Sequence, residues 1–406
     1  MFGKFLNFVR RYPSRVAYCV PYWDSETYLT IIRKIIFGGV VNGDNIHRLE
    51  NALKDFFSIS NVHACGSGRL AIELALKSAG IVSGDEVIIP SFSCDGVIEP
   101  VIQSGAIPVF VEVGDELNIT ARSVESGLSQ RTRAVIVPHM FGNPADIEAI
   151  EMVCSGREIT IIDDAAQAYG ATINGKRVGT FGQIGVVSFG NGKICFGTGG
   201  GVILTDNIDY HNNIKKVSLN ERQRKERVSR ALYVLFMRRW RRWFFPLERI
   251  GFLGKIKHIS LSPYDRVRMG NIDASIALVL LKTLDKNIES RRLKVRAYRD
   301  LLGGVDWLRL VEHQEGSVCL TQPLIIIGSN ASQITRKIRN ALNDSGYEIN
   351  TSYTPLHHKA QYNKYCKGIL LHTDQVWDKI LELPCEPLVS MKDIEKISRI
   401  IKSFTL

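Results

Sequence analysis

Ile159-Thr160-Ile161-Ile162-Asp163-Asp164 and, further along, Ser188-Phe189-Gly190-Asn191-Gly192-Lys193 are the two stretches that decide how this chain is read. The first is a short apolar run without alternation that ends in two carboxylates, the mark of a strand buried on both faces. The second leaves another such strand, residues 186–189, and enters a glycine-lined turn that carries a lysine. A lysine in such a turn, with a carboxylate arriving from a neighbouring strand, suits a Schiff base with pyridoxal phosphate. That cofactor takes one lysine for its aldehyde carbon and one carboxylate for its pyridinium nitrogen. It also takes small residues and hydroxyls around its phosphate.

Outward from these stretches the same alternation continues. Residues 86–90, entered from the turn Ser83-Gly84-Asp85, read as a buried strand, as do residues 107–111, 134–138 and 201–205. Apolar residues at helical spacing fill 45–58, 68–79, 97–104 and 147–154. This order predicts an α/β fold with a mostly parallel sheet and helices on both faces. Beyond about residue 271 a long helix over 273–298 leads into shorter elements that end in a helix over 391–404. The expected division is an N-terminal arm at 1–42, a large cofactor-binding domain at 43–218, a basic aromatic helical insert at 219–260 and a small C-terminal α/β domain at 261–406.

Ligands of open parallel sheets bind at the carboxyl ends of the strands. Asp163, Asp164 and Ser188 stand at such ends. Ser67-Gly68 precede a helix start, where backbone N–H groups favour a phosphate. The candidate residues therefore share one rim.

Competing motifs fail on detail. A phosphate-binding GxxxxGK[ST] loop is excluded, because Ile194 follows Gly192-Lys193 and Val187 holds the first glycine's place. Gly197-Thr198-Gly199-Gly200-Gly201 leads into a strand rather than a helix, against a dinucleotide fingerprint. The 8 cysteines contain no CxxC pair, so neither a disulfide framework nor a zinc site is expected, and no metal is assigned. No apolar run reaches the ~20 residues of a membrane-spanning helix. The N-terminus, MFGKFLNFVRRYPSR, lacks the order of a signal peptide. A reduced, cytoplasmic setting is expected.

The order of motifs resembles the DegT/DnrJ/StrS family of sugar aminotransferases, on the aspartate aminotransferase fold type I. The similarity runs from about Pro21 to the C-terminus. It rests on Gly43 and Glu50, Ser67-Gly68-Arg69, Gly84-Asp85-Glu86-Val87-Ile88, the run from Gly105 to Phe110, the run from Gly142 to Asp146, Asp163–Ala168, Lys193, Gly199-Gly200-Gly201, Arg268-Met269 and Tyr353-Thr354-Pro355-Leu356-His357. The resemblance implies that Lys193 holds the cofactor and shuttles a proton and that Asp164 pairs with the pyridinium nitrogen. Gln167 would lie near the phenolic oxygen, and Ser188 with the Gly68 and Arg69 backbone would hold the phosphate.

Three positions depart from the family. Threonine is usual at Arg69, whose guanidinium is itself a phosphate ligand by type. An aromatic ring that stacks on the cofactor is usual at Cys94, and Phe92, two residues earlier on an extended segment, is expected to replace it in part. Asparagine reaching the partner subunit's phosphate is usual at Arg266. Arg266 and Arg268 are the candidates for reaching across a homodimer, with Arg268 and His357 set on the substrate side.

The formal charge of +11 suits a diphosphate-bearing substrate. Much of the excess lies in Arg222–Lys257, where arginines and tryptophans interleave with aliphatic residues. Residues 229–257 fit a helix lying on an anionic membrane at the inner face. A helical insert packing on the partner or over the site is the plainer reading, and nucleic acid is the least favoured.

The expected activity is pyridoxal-phosphate-dependent transfer of an amino group, with L-glutamate as the implied donor, to a nucleotide-linked keto sugar for polysaccharide or glycan synthesis. Two alternatives stay open. One is a non-catalytic or regulatory relative that binds a sugar nucleotide or a membrane partner. The other is a pyridoxal-phosphate sugar dehydratase, although that branch of the family replaces the lysine that stands here at 193 with histidine.

Overall fold

The computed structural model describes residues 16, 20–40, 42–218 and 266–404. The basic insert expected at 219–260, with its membrane contact, lies outside the described residues. Helices α1 (Ser25–Ile36) and α2 (Asn45–Phe57) precede strand β1 (Asn61–Cys65). Then α3 (Gly68–Ser78), β2 (Glu86–Pro90), α4 (Asp95–Gln103), β3 (Ile107–Val111), α5 (Ala121–Gly127), β4 (Thr132–Pro138), α6 (Ile147–Cys154) and β5 (Thr160–Asp164) follow one another. A small ribbon, β6 (Thr172–Ile173) and β7 (Lys176–Arg177), leads to β8 (Ile184–Ser188), β9 (Gly201–Thr205) and α7 (Ile208–Ser218).

The large sheet has 7 strands in the order β1-β9-β8-β5-β4-β2-β3. β9 runs antiparallel to β1 and β8, and the other pairings are parallel. The carboxyl ends of β1, β2, β4, β5 and β8 thus share one edge, and β9 enters from that edge, where Gly200 bridges Ser67. Strands β2, β5, β8 and β9 are buried along their whole length, as sheets covered on both faces must be. Two apolar cores form, one on each face: one gathers Leu49, Leu53, Val135, Val187 and Phe189, the other Leu70, Leu74, Ile89, Ile136 and Ile162.

The N-terminal region takes part in the first core. Asp24 caps α1 by accepting from Thr27 N–H at 2.9 Å. Trp23 is buried, and its indole donates to Phe196 O at 2.8 Å, next to the lysine turn.

The single helix expected over 273–298 is two helices, α8 (Asn271–Lys282) and α9 (Leu284–Leu302). They break at Thr283 (φ −103°, ψ 6°), a β-branched residue whose N–H and hydroxyl both turn to Leu280 O. Helix α8 packs on α2 and α1, so by packing it stands with the large sheet, although the sequence reading grouped it with 261–406.

The second unit is a sheet of 4 antiparallel strands in the order β10 (Leu308–Leu310), β11 (Thr321–Ile326), β13 (Ile380–Pro384), β12 (Asn350–Thr351). Helices α9, α10 (Ala331–Asp344) and α12 (Met391–Lys402) close its core around Tyr298, Leu324, Ile338 and Ile397. A one-turn helix, α11 (Leu371–Val376), lies between β12 and β13. Val16 joins this unit, donating to Gly346 O at 3.1 Å and accepting from Glu348 N at 2.9 Å.

Candidate active site

Asp163 and Asp164 point to opposite faces at the end of β5, and their surroundings separate their roles. Asp163 faces the core. Its carboxylate accepts from His139 Nε2 at 2.7 Å, Gly179 N at 2.6 Å and Phe181 N at 2.9 Å. Ala145 N–H donates to His139 Nδ1 at 2.8 Å, which assigns the ring proton to Nε2 and points it at Asp163. Asp163 is therefore a structural hub with its acceptor capacity in use.

Asp164 is also buried, yet it takes one described hydrogen bond, from Ala166 N at 3.0 Å. Burial raises its pKa above the ordinary carboxylate value, and the nearby charge of Lys193 pulls it part of the way back. Lys193 hangs from the turn after β8. Gly192 takes φ 72° there, a left-handed conformation that glycine adopts at no steric cost. Lys193, Gln167, Asn191, Arg291, Thr321, Tyr353, Glu382 and Glu386 line one pocket between the two sheets.

Gln167 is held from behind, its Oε1 accepting from Phe141 N at 3.1 Å. Its amide nitrogen lies 3.5 Å from Tyr353 OH. At the neighbouring strand end, Ser188 Oγ accepts from Gly190 N at 3.3 Å. Gly68 opens α3 directly against Ser188: a Cβ built on Gly68 would sit 2.8 Å from Ser188 Cβ and 2.9 Å from its Oγ. Ser67 caps the helix through Leu70 N, leaving the Gly68 and Arg69 amides in the first turn, where no intrahelical acceptor exists.

Other expected residues stand elsewhere. The Arg69 guanidinium turns away to pair with Glu99 at 2.8 Å on α4, so the side chain expected at phosphate is engaged on the surface. Cys94 is the N-cap residue of α4, and its sulfur lies beside Gly96. Phe92, expected to replace the ring stack in part, does not line the pocket that holds Lys193. It is fully buried in a separate cluster against Phe141 and Tyr353, because its position on the chain turns it into the seam between the two units. Arg266 is exposed and folds onto the buried Glu73 of α3, and Arg268 is exposed near His63 of β1.

His357 lies outside the pocket lining. Its Nδ1 sits 2.5 Å from Ser91 Oγ and its Nε2 2.9 Å from Asp374 Oδ1, an oxygen that His358 also approaches at 2.7 Å. Sequence reasoning missed His139, Tyr353, Arg291, Thr321, Glu382 and Glu386. Only Tyr353 had a signal, in the Tyr353–His357 motif.

These residues fit pyridoxal phosphate. Asp164 is a buried carboxylate short of donors beside the Lys193 charge. The glycine-lined contact of Gly68 with Ser188, beside first-turn amides, is a cradle that a Cβ would fill.

The model of the DegT/DnrJ/EryC1/StrS aminotransferase family matches residues 25–402. The chain is 30% identical to a GDP-perosamine synthase of Vibrio cholerae over 65% of its length and 64% of the relative's. It is 27% identical to the GDP-perosamine synthase of Escherichia coli O157:H7 over 89% of the chain and 90% of that protein. A DegT DnrJ EryC1 StrS aminotransferase structure from Brucella abortus superposes with a TM-score of 0.75 at 24% identity, over 93% of this chain and 95% of that one, and so shares the fold.

Proposed function

The chain belongs to the DegT/DnrJ/EryC1/StrS aminotransferase family, and on that premise we propose that it aminates a nucleotide-linked keto sugar with L-glutamate as donor, using Lys193. The product would be an amino sugar for a glycan. The observation that supports the reading is that Lys193, which lines the pocket, lies close enough to the buried Asp164 for its charge to act on that carboxyl, at the strand edge that also holds Ser188 and Gly68.

Pyridoxal 5′-phosphate, when bound, supplies an aldehyde carbon that carries the amino group and a ring that withdraws electrons from the reacting carbon. The chain's own residues do the rest. Lys193 Nζ would hold that carbon at rest, give it up to the donor, and move the proton between the substrate carbon and the cofactor. Asp164 would hold the ring nitrogen in its protonated form, its carboxylate finding there the donor that the fold leaves out. Gln167, fixed by Phe141 N, would offer its amide N–H to the phenolic oxygen. Ser188 Oγ and the Gly68 and Arg69 amides would hold the phosphate.

We further infer a homodimer. The exposed apolar residues of α1, Leu29, Ile32 and Ile36, supply a face for a second copy, and the reach of Arg266 and Arg268 belongs to this reading. The basic stretch at 229–257 is proposed to dock on anionic lipid. Flotation with anionic vesicles tests it: equal recovery of full-length protein and a deletion of that stretch in the unbound fraction would refute it.

The functional reading is tested by incubating the protein with cofactor, L-glutamate and a panel of nucleotide-linked keto sugars. Mass spectrometry should find an amino sugar nucleotide formed in step with 2-oxoglutarate, and none with Lys193→Ala. Absence of any aminated sugar across the panel would sink it.

A further inference from the structure

The wall of the pocket opposite the lysine turn comes from the small sheet, and it carries unpaired acceptors. Glu386, just past β13, is 6% exposed, and its Oε2 has no hydrogen-bond partner among the described residues. Thr321 opens β11 beside it, with Pro384 opposite in register, and its Oγ1 is likewise buried and unpaired. Both line the pocket with Lys193 and with the buried Glu382 and Arg291. Arg291 does not serve Glu386: its Nε donates to Asn287 at 2.8 Å and its Nη1 to Leu320 O at 2.6 Å. Lys294 Nζ donates to Ser290, although its charge is felt at Glu386. A buried acceptor left without a donor costs a desolvation penalty, and a fold retains that cost where a ligand removes it.

Resting on the functional reading above, we propose that Glu386, with Thr321, selects the acceptor by accepting a hydrogen bond from a hydroxyl of the keto sugar. A carboxylate accepts only from donors and repels other anions. Glu386 and Glu382 disfavour an anion in direct contact with them, although Arg291 lines the same pocket, so an anionic group is better placed away from these two carboxylates. Neutral donors occur on the sugar ring and on the nucleoside, and the keto sugar is the part that must reach Lys193 in this same pocket. Sites built around a substrate hydroxyl reject the analogue lacking it far more strongly than apolar pockets reject a missing methylene. The enzyme therefore discriminates keto sugars that carry a hydroxyl at this corner from the corresponding deoxy sugars.

The experiment compares the wild-type holoenzyme with Glu386→Leu and Glu386→Gln in three readouts. The melting temperature of Glu386→Leu rises by about 1–2 °C, because an unpaired buried carboxylate is removed. The half-reaction with L-glutamate, followed by the cofactor's absorbance, stays within about threefold, while kcat/KM for the hydroxylated acceptor falls about 100-fold, and about tenfold in Glu386→Gln. The preference of wild type for the hydroxylated over the deoxy acceptor disappears in Glu386→Leu. A lower melting temperature in Glu386→Leu would make the carboxylate structural and overturn the proposal. So would an equal loss in both half-reactions, or an unchanged acceptor preference. Wild type that exchanges with glutamate but aminates no keto sugar overturns the functional reading, and the sugar contact with it. Failure of the thermal or preference readout alone leaves that reading standing.

Discussion

Asp163 and Asp164 are neighbours in the chain but opposites in bonding: Asp163 accepts from His139 Nε2 at 2.7 Å and from two backbone amides, while Asp164 accepts from Ala166 N alone among the described residues. Substitution should separate them. Asp163→Asn sets an NH2 group against donors and should cost about 3 kcal/mol in chemical denaturation, as broken buried pairs do. A stability unchanged within error would refute the hub.

Asp164→Asn should do the reverse. Burial raises the Asp164 pKa in the folded chain, so the folded state binds more protons than the unfolded one between the ordinary carboxylate value and the raised value. Stability of the cofactor-free protein therefore falls as pH rises through that window. The variant should melt at or above wild type without cofactor, while turnover of the holoenzyme drops about 100-fold or more.

Lys193→Ala should remove the borohydride-reducible absorbance of bound cofactor and lower turnover by about 10⁴-fold. A band that survives the substitution would assign the covalent role to another lysine.

The phosphate end should respond at Gly68 and Ser188 rather than at the Arg69 side chain. Gly68→Ala drives a Cβ to 2.8 Å from Ser188 Cβ, and cofactor affinity in equilibrium titration should weaken about tenfold or more. Ser188→Ala removes a hydrogen bond to a charged group, worth about 1.5–3 kcal/mol. Arg69→Ala breaks an exposed pair with Glu99 and should change affinity by less than about threefold.

Acid should destabilise the fold through buried imidazoles. Burial lowers His63 to about 4 and His313 to about 4. The unfolded chain therefore binds more protons than the folded one between about pH 4 and the ordinary histidine value near 6.5, and stability falls as pH drops through that range. His63→Leu should flatten part of this slope in denaturation curves taken from pH 7 to 4, because His63 Nε2 is buried without a partner.

The strands that position the site were legible because residues 87–89, 107–111 and 134–137 are continuous apolar runs, as the strands of a parallel sheet covered on both faces are. Strand β1 was not, since Asn61-Val62-His63-Ala64-Cys65 mixes polar and small residues and earns its place only by pairing with β9. Lys193, Ser188 and Asp164 could be read from strand ends, where position along the chain nearly fixes position in space. The Arg69–Glu99 pair, the burial of Phe92 and the Glu386 wall depend on how separate elements pack. No motif of adjacent residues encodes them. The break at Thr283 escaped because neither glycine nor proline marks it.

Helix α9 belongs to both cores at once. Leu284 and Ile288 are embedded with the large sheet, Val295, Tyr298 and Leu302 with the small one, and Arg291 reaches the pocket from between them. A shared strut of this kind ties the fates of the two units together. The large core loses Leu284 and Ile288 if the chain is cut after residue 290, whereas Val295, Tyr298 and Leu302 stay with the small sheet, so the cost of severing the strut falls on the large unit. The same arrangement keeps the pocket walls in register: Arg291 is set at the point where the helix passes from one core to the other.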